Sequence, residues 1–466
     1  MSRKEPSLLW SVIPLLVLLV LLAGGYGYLG LKTEPLLLLA AVFTGCVAKA
    51  HGLSFDEMMA GIKEKINLAM PSILVLISVG MLIGTWMIAG TVPMMIYYGI
   101  QIVSAKYIVF VSFIIAAIVS IVTGTSWGAV GSVGVALIGV ATGLDASLPA
   151  TAGAVVAGAY FGDKLSPFSD TTNLAPIVAG TDLWSHIRHM LWTTVPATIV
   201  ALVFYFVVGF TSRGGDASSA RVDRFANELS SNFTFNILLL LPLVIVLGCA
   251  MAKLPILPTI LSSSIVAGFL AIAFQGASLE NVFLSTTAGF SPEMLGEGAV
   301  LGEEMSKLLT QGGMESMASV TLLAFCAFSF AGVLSAYGAL DTIIEALLNL
   351  ARRTGDLVLS TVVSCITVAF ATGSSYLSII IPGELFKDAY KLRGLDPKNL
   401  SRTLEDSGTV IVPLVPWSAA GVYMSGVLGV SVLEYAPWAV FCYTGFIFAI
   451  LWGYTGIGIT KVKTRV

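Results

Sequence analysis

The chain has 466 residues, of which 56% are hydrophobic and 11% charged, with a net charge of −3 and a mean hydropathy of +0.92. Soluble globular domains carry about 25% charged residues, so these values exclude one and point to an all-α polytopic membrane protein. The few charges, spread over loops, form no basic patch for a nucleic-acid partner.

Apolar runs long enough to cross a hydrocarbon core of about 30 Å place about ten spans, at 8–31, 35–50, 71–98, 150–180, 191–211, 234–252, 257–275, 316–338, 400–428 and 433–459. The first follows Arg3 and Lys4 and continues past Ala23 without a small-residue cleavage site, so it reads as an uncleaved helix and not a signal peptide. Two stretches behave differently. At 107–142 and 357–392 an apolar run, a Gly/Ser/Thr break and a second run follow one another, and neither arm is a comfortable span. They read as re-entrant hairpins, whose non-helical tips are tolerated at membrane depth only when buried in protein or facing a water-filled cavity.

Lys and Arg set the orientation. With the N-terminus inside, Lys49, Lys63, Lys65, Arg188, Lys253, Arg352, Arg353, the basic run Lys387 to Arg402 and the tail residues Lys461, Lys463 and Arg465 are cytoplasmic. Lys32, Lys106, Arg213, Arg221, Arg224, Lys307 and the glutamate-rich loop 277–310 fall outside. The positive-inside rule selects N-in, C-in in the cytoplasmic membrane.

The two hairpin tips, TGTSW at 123–127 and TGSSY at 372–376, resemble each other, and each is followed by a GLD and then an acidic break, GDKLSPFSD or EDSGTVIVP. The pattern predicts two copies of one unit, 1–230 and 231–466. Five spans per copy is an odd number, so the second copy is expected to be inverted, and broken elements of inverted repeats meeting at the midplane are how many secondary transporters are built.

An acid at the centre of a span costs about 2.5–3.5 kcal/mol on insertion scales and is a functional candidate by default. Asp163 and Asp170 are two helical turns apart, and Pro167 between them prevents one regular helix. The segment 162–173 therefore reads as an unwound linker. Its carbonyls, the Ser166, Ser169, Thr171 and Thr172 hydroxyls, the Asn173 amide and a carboxylate make a hard-oxygen cluster suited to Na+. Asp170 is the first choice for the carboxylate that holds Na+ or a proton, having no adjacent lysine, and Asp163, balanced by Lys164, is second. Lys164 beside Asp163 also allows a blander account, an ion pair at the membrane surface, but the density of small hydroxyl residues and the flanking apolar runs argue against it. Thr123, Thr125 and Ser126 of the first tip join the ion site, although Gly124 and Gly128 also suit close packing of the arms. In the second copy Thr372, Ser374 and Ser375 repeat the tip, and Glu405, Asp406 and Thr409 stand where the first has its aspartates, as a second-repeat or substrate site. Those acids follow the basic run 387–402, which also fits a cytoplasmic surface.

Other patterns carry no chemistry. GYGYLG at 25–30 matches GxGxxG but ends a membrane helix and follows no strand. His186 and His189 fall in DLWSHIRHM, a short amphipathic stretch expected along the interface. The five cysteines stand singly, without metal spacing. With no ATPase module and no nucleophile and base pair, the chain reads as a transporter driven by ion gradients, without a cofactor, and not as an enzyme.

The strings TGTSWG, GAYFGDKLSPFSDTTNLAP and GTDLWSHIRHMLWTTVP resemble the NhaC-type sodium/proton antiporter family of the ion transporter superfamily, and the likeness in layout extends over essentially the whole chain. It implies exchange of Na+ for protons, in a family that also includes exchangers coupling Na+ and H+ to malate and lactate. Superfamily relatives imply homodimers with a scaffold and a sliding transport domain carrying two hairpins. The superfamily's carboxylate transporters have Ser/Asn/Thr tips, and both tips here lack the asparagine. The leading expectation is Na+/H+ exchange, with malate/lactate exchange at the opposed tips as the alternative.

Overall fold

The computed structural model describes residues 6–211, 219–296 and 301–462. Arg3, Lys4, Arg213, Lys463 and Arg465, used above, lie outside these, as do residues 297–300 of the glutamate-rich loop. The described residues are helical, with one isolated bridge between Leu395 and Lys461. Among them, eight helices are long and apolar enough to cross a membrane, or eleven if each of three bent pairs is one span. The expected ten falls within that range.

Hydropathy misplaced several boundaries. The run 71–98 belongs to two helices, Phe55–Ala89 and Thr91–Ile102. Gly90 divides them at φ 85°, a left-handed conformation that ends a helix at little cost only in glycine. Gly338, at φ 77°, likewise separates Ala318–Tyr337 from Ala339–Leu350, a helix outside the expected spans. The span expected at 191–211 starts earlier, as one helix Leu183–Thr211. Its outer side carries exposed Trp192, Val195, Ile199, Val203 and Phe206, whereas His186, Thr193, Ala197, Ala201 and Tyr205 are buried. His186 and His189 are therefore packed inside the protein and do not lie along the interface.

Both hairpins form. The first has arms Ile108–Thr123 and Ser126–Gly143, the second Thr354–Thr372 and Ser375–Leu392. Each is followed by a broken helix: Leu148–Leu165 with Asp170–Ala179, then Pro397–Leu414 with Ala419–Leu428. The same element order thus occurs twice: long helix, short helix, hairpin, broken helix, closing helix. Glycines bring the first broken helix against its hairpin, since a Cβ on Gly158 would lie 2.2 Å from the Phe113 carbonyl oxygen and one on Gly162 2.4 Å from that of Ala117. Small residues at such a contact let two backbones approach, the usual source of helix association in lipid.

Candidate ion-binding site

The two tips share one local grammar. Gly124 (φ 70°) and Gly373 (φ 63°) end the first arms, and their N–H groups donate to Ser120 and Ala369 carbonyls at 2.8 Å. Thr125 and Ser374 then cap the second arms, accepting from the N–H groups of Gly128 at 3.3 Å and Leu377 at 3.4 Å. Each tip abuts the break of its own unit. A Cβ on Gly124 would lie 2.6 Å from Phe168 Cβ, and one on Gly373 3.0 Å from Ser418 Cα.

The first break is shorter than the sequence suggests. Helix continues to Leu165 and resumes at Asp170, so only 166–169 are unwound. Ser166 caps one end and Ser169 the other. The Asn173 amide donates to the Pro167 and Ser169 carbonyls at 2.9 and 2.7 Å, and Thr172 Oγ1 to those of Asp163 and Lys164 at 3.2 and 3.0 Å. These two side chains are thus engaged in bracing the break.

Tips and breaks enclose a cavity of 640 Å³. Of the expected site residues, Asp163, Asp170, Thr123, Thr125, Ser126, Ser169, Thr171, Thr372, Ser374, Ser375 and Thr409 line it, while Thr172, Asn173, Glu405 and Asp406 do not. The two aspartates differ. Asp163, in the last turn of its helix, is buried, and its carboxylate accepts from Ser126 Oγ at 2.8 Å. Asp170, the first residue of the next helix, is exposed in the cavity and accepts from Tyr376 Oη of the second tip at 3.3 Å. Trp127 of the first tip makes the converse crossing: its carbonyl accepts from Tyr423 Oη at 2.8 Å, and the two rings stack with centroids 4.3 Å apart. The aromatic residue ending each tip motif therefore docks on the other unit's broken helix.

Behind Asp163 lies a second polar group. Lys164 does not balance its neighbour Asp163; its ammonium pairs with Asp406, and both are fully buried. Thr193 Oγ1 also donates to Asp406, at 3.0 Å. Glu405 is fully buried too, and one of its oxygens accepts from Thr171 Oγ1 at 3.1 Å. The second-copy acids are interior groups, which overturns the cytoplasmic-surface reading. One turn earlier, Ser401 Oγ and His186 Nδ1 lie 2.5 Å apart, so a polar seam runs between this broken helix and Leu183–Thr211. Asp182 starts that last helix by accepting from the Ser185 N–H at 2.9 Å; hydrogen bonds from Ser185 hold its carboxyl below the usual carboxylate range.

Charge counting alone missed two residues. Lys65 and Lys253, assigned to loops by the orientation argument, line the cavity, Lys65 buried and Lys253 with its ammonium 4.7 Å from the Phe168 ring centroid. Neither has a local motif that signals this; only the three-dimensional packing brings them there.

A Na+/H+ antiporter family model matches residues 158–457, from the first broken helix to the end of the last. The chain belongs to the Na+/H+ antiporter family. An uncharacterized Na+/H+ antiporter of Haemophilus influenzae is 48% identical over 99% of this chain and 98% of its own. The Na+/H+ antiporter NhaC of Alkalihalophilus pseudofirmus is 36% identical over 93% of each chain. A malate-2H+/Na+-lactate antiporter of Bacillus subtilis is 33% identical over 99% of this chain and 97% of its own.

Proposed function

We propose that this protein is a secondary transporter exchanging Na+ for protons across the cytoplasmic membrane, with Asp163 as the carboxylate for which the two ions compete. The observation that carries this reading is the placement of Asp163: buried, on the cavity wall, where tip and break of the first unit meet, and held by the Ser126 hydroxyl. Burial and like-charged neighbours favour a protonated carboxyl, and bound Na+ favours the ionised one. The hydroxyls of Ser126, Ser169 and Thr171 complete an all-oxygen donor set of the kind hard cations take. Asp170, exposed and hydrogen-bonded to Tyr376, takes the part of an entry ligand. An unloaded site carries uncompensated buried charge and resists crossing the membrane; a loaded one does not. Two inverted repeats rocking or sliding as a transport unit, N- and C-termini in the cytoplasm and a homodimeric scaffold complete the reading. The repeat arrangement is supported by the twice-occurring element order and the crossed tip contacts.

A second reading, malate/lactate exchange coupled to Na+ and H+, has one observation in its favour: the cavity exceeds what a single cation needs and holds two lysines beside the hydroxyl-rich tips. Purified protein in liposomes separates the two. An imposed Na+ gradient drives proton movement, read with an enclosed pH dye, and malate or lactate on the opposite face leaves its rate unchanged. Proton movement that requires either acid contradicts cation exchange and establishes the second reading.

A further inference from the structure

Lys253 is not used by the mechanism above, yet its placement is built into the backbone. It follows the helix Leu241–Met251, whose end is closed by two hydrogen bonds, from the Lys253 N–H to the Ala250 carbonyl at 2.9 Å and from the Leu254 N–H to that of Cys249 at 3.0 Å. This is the left-handed helix stop in which glycine is the usual residue. Here a lysine holds it, at φ 58°, and among the described residues only Asp145 is another non-glycine residue with positive φ. Residues held in that region store strain, and such strain collects at functional sites.

The turn fixes the start of a stem that ends at the first break. The ammonium lies 4.7 Å from the centroid of the Phe168 ring, within reach of a cation–π contact. Phe168 stands in the unwound segment next to Ser169, one of the hydroxyls assigned to Na+ above. Of the described residues, the charged ones that line the cavity are Asp163, Asp170, Lys65 and Lys253. Lys65 has an ion-pair partner in Glu64, at 3.4 Å. Lys253 has no carboxylate partner among the described residues. With both aspartates ionised, Lys253 thus leaves the wall with one net negative charge. A single monovalent cation neutralises it, and a divalent one overshoots.

We propose that Lys253 is the residue that makes this site select monovalent over divalent cations. This rests on the exchange reading above. Oxygen donors alone do not make that choice, since Ca2+ also takes carboxylate and other oxygen ligands. Repulsion from a fixed ammonium scales with the charge of the ion, so a divalent cation is penalised twice as much in free energy and by the square in affinity. It would also leave net charge on the loaded site, which resists crossing the membrane. The Phe168 ring holds the ammonium beside the break without neutralising it, as a carboxylate partner would.

The test titrates purified full-length protein calorimetrically with Na+ and, separately, with Ca2+. Wild type binds Na+ in preference to Ca2+. Lys253→Gly removes the ammonium and puts the favoured residue at the left-handed position, so its thermal stability should equal or exceed that of wild type. Its Na+ affinity is expected to rise about threefold and its Ca2+ affinity about tenfold, and added choline chloride should shrink both gains. Lys253→Asn, a second neutral residue that tolerates this conformation, should repeat both changes. Lys253→Arg keeps the charge and should keep the wild-type preference. Equal gains for the two ions, or unchanged affinities in both neutral variants, overturn the proposal alone, because Na+ binding itself then stands. Wild-type protein that binds no Na+ overturns the exchange reading and the proposal with it.

Discussion

At the residue scale the Lys164–Asp406 pair joins the two broken helices in the protein interior. Replacing Lys164 by methionine leaves Asp406 buried with only the Thr193 hydroxyl as donor, which is expected to cost about 3–5 kcal/mol. The double variant Lys164→Met/Asp406→Leu removes both charges and should recover most of that loss. Thermal unfolding in detergent checks the order, and a double variant less stable than the single one contradicts it. The acids were legible in the sequence because an ionisable group in an apolar run stands out. Their partners were not. Lys164 adjoins Asp163, but consecutive residues on a helix do not face each other, and its partner lies 242 residues away. The same limit applies to Asp163 and Asp170: one ends a helix and the other starts one, and spacing alone cannot say which is enclosed.

At the scale of elements, the contact between first hairpin and first broken helix depends on glycine. Gly158→Ala forces a methyl group against the Phe113 backbone and should destabilise by about 1–3 kcal/mol, the range for overpacking. Gly24→Ala is the control. Nothing lies within 4 Å of a Cβ there, so it should be neutral or stabilising by up to about 1 kcal/mol. Equal losses in thermal unfolding contradict the close-packing argument. Hairpins and breaks were legible because their polar residues interrupt apolar runs, and tips must be capped by small hydroxyl residues and glycine. The helices Thr91–Ile102 and Ala339–Leu350 were not, since Gly90 and Gly338 end helices inside or beside runs that hydropathy treats as continuous. The burial of His186 and His189 was hidden for a related reason: an amphipathic turn looks the same whether its polar side meets water or a neighbouring helix.

At the scale of the whole molecule, each hairpin tip reaches the broken helix that follows the other hairpin, and both tips line a shared cavity. The repeated tip motifs announced this order in the sequence. How the tips cross, and the two lysines on the cavity wall, come only from packing between segments far apart in the chain. The exchange reading places the shared carboxylate at Asp163, so Na+-driven proton flux in liposomes is its most direct test. Wild-type protein should acidify or alkalinise the lumen according to the direction of the Na+ gradient, and Asp163→Asn, purified and folded, should abolish that flux, while Asp170→Asn only raises the Na+ concentration required. Undiminished flux in Asp163→Asn at the wild-type Na+ requirement contradicts it.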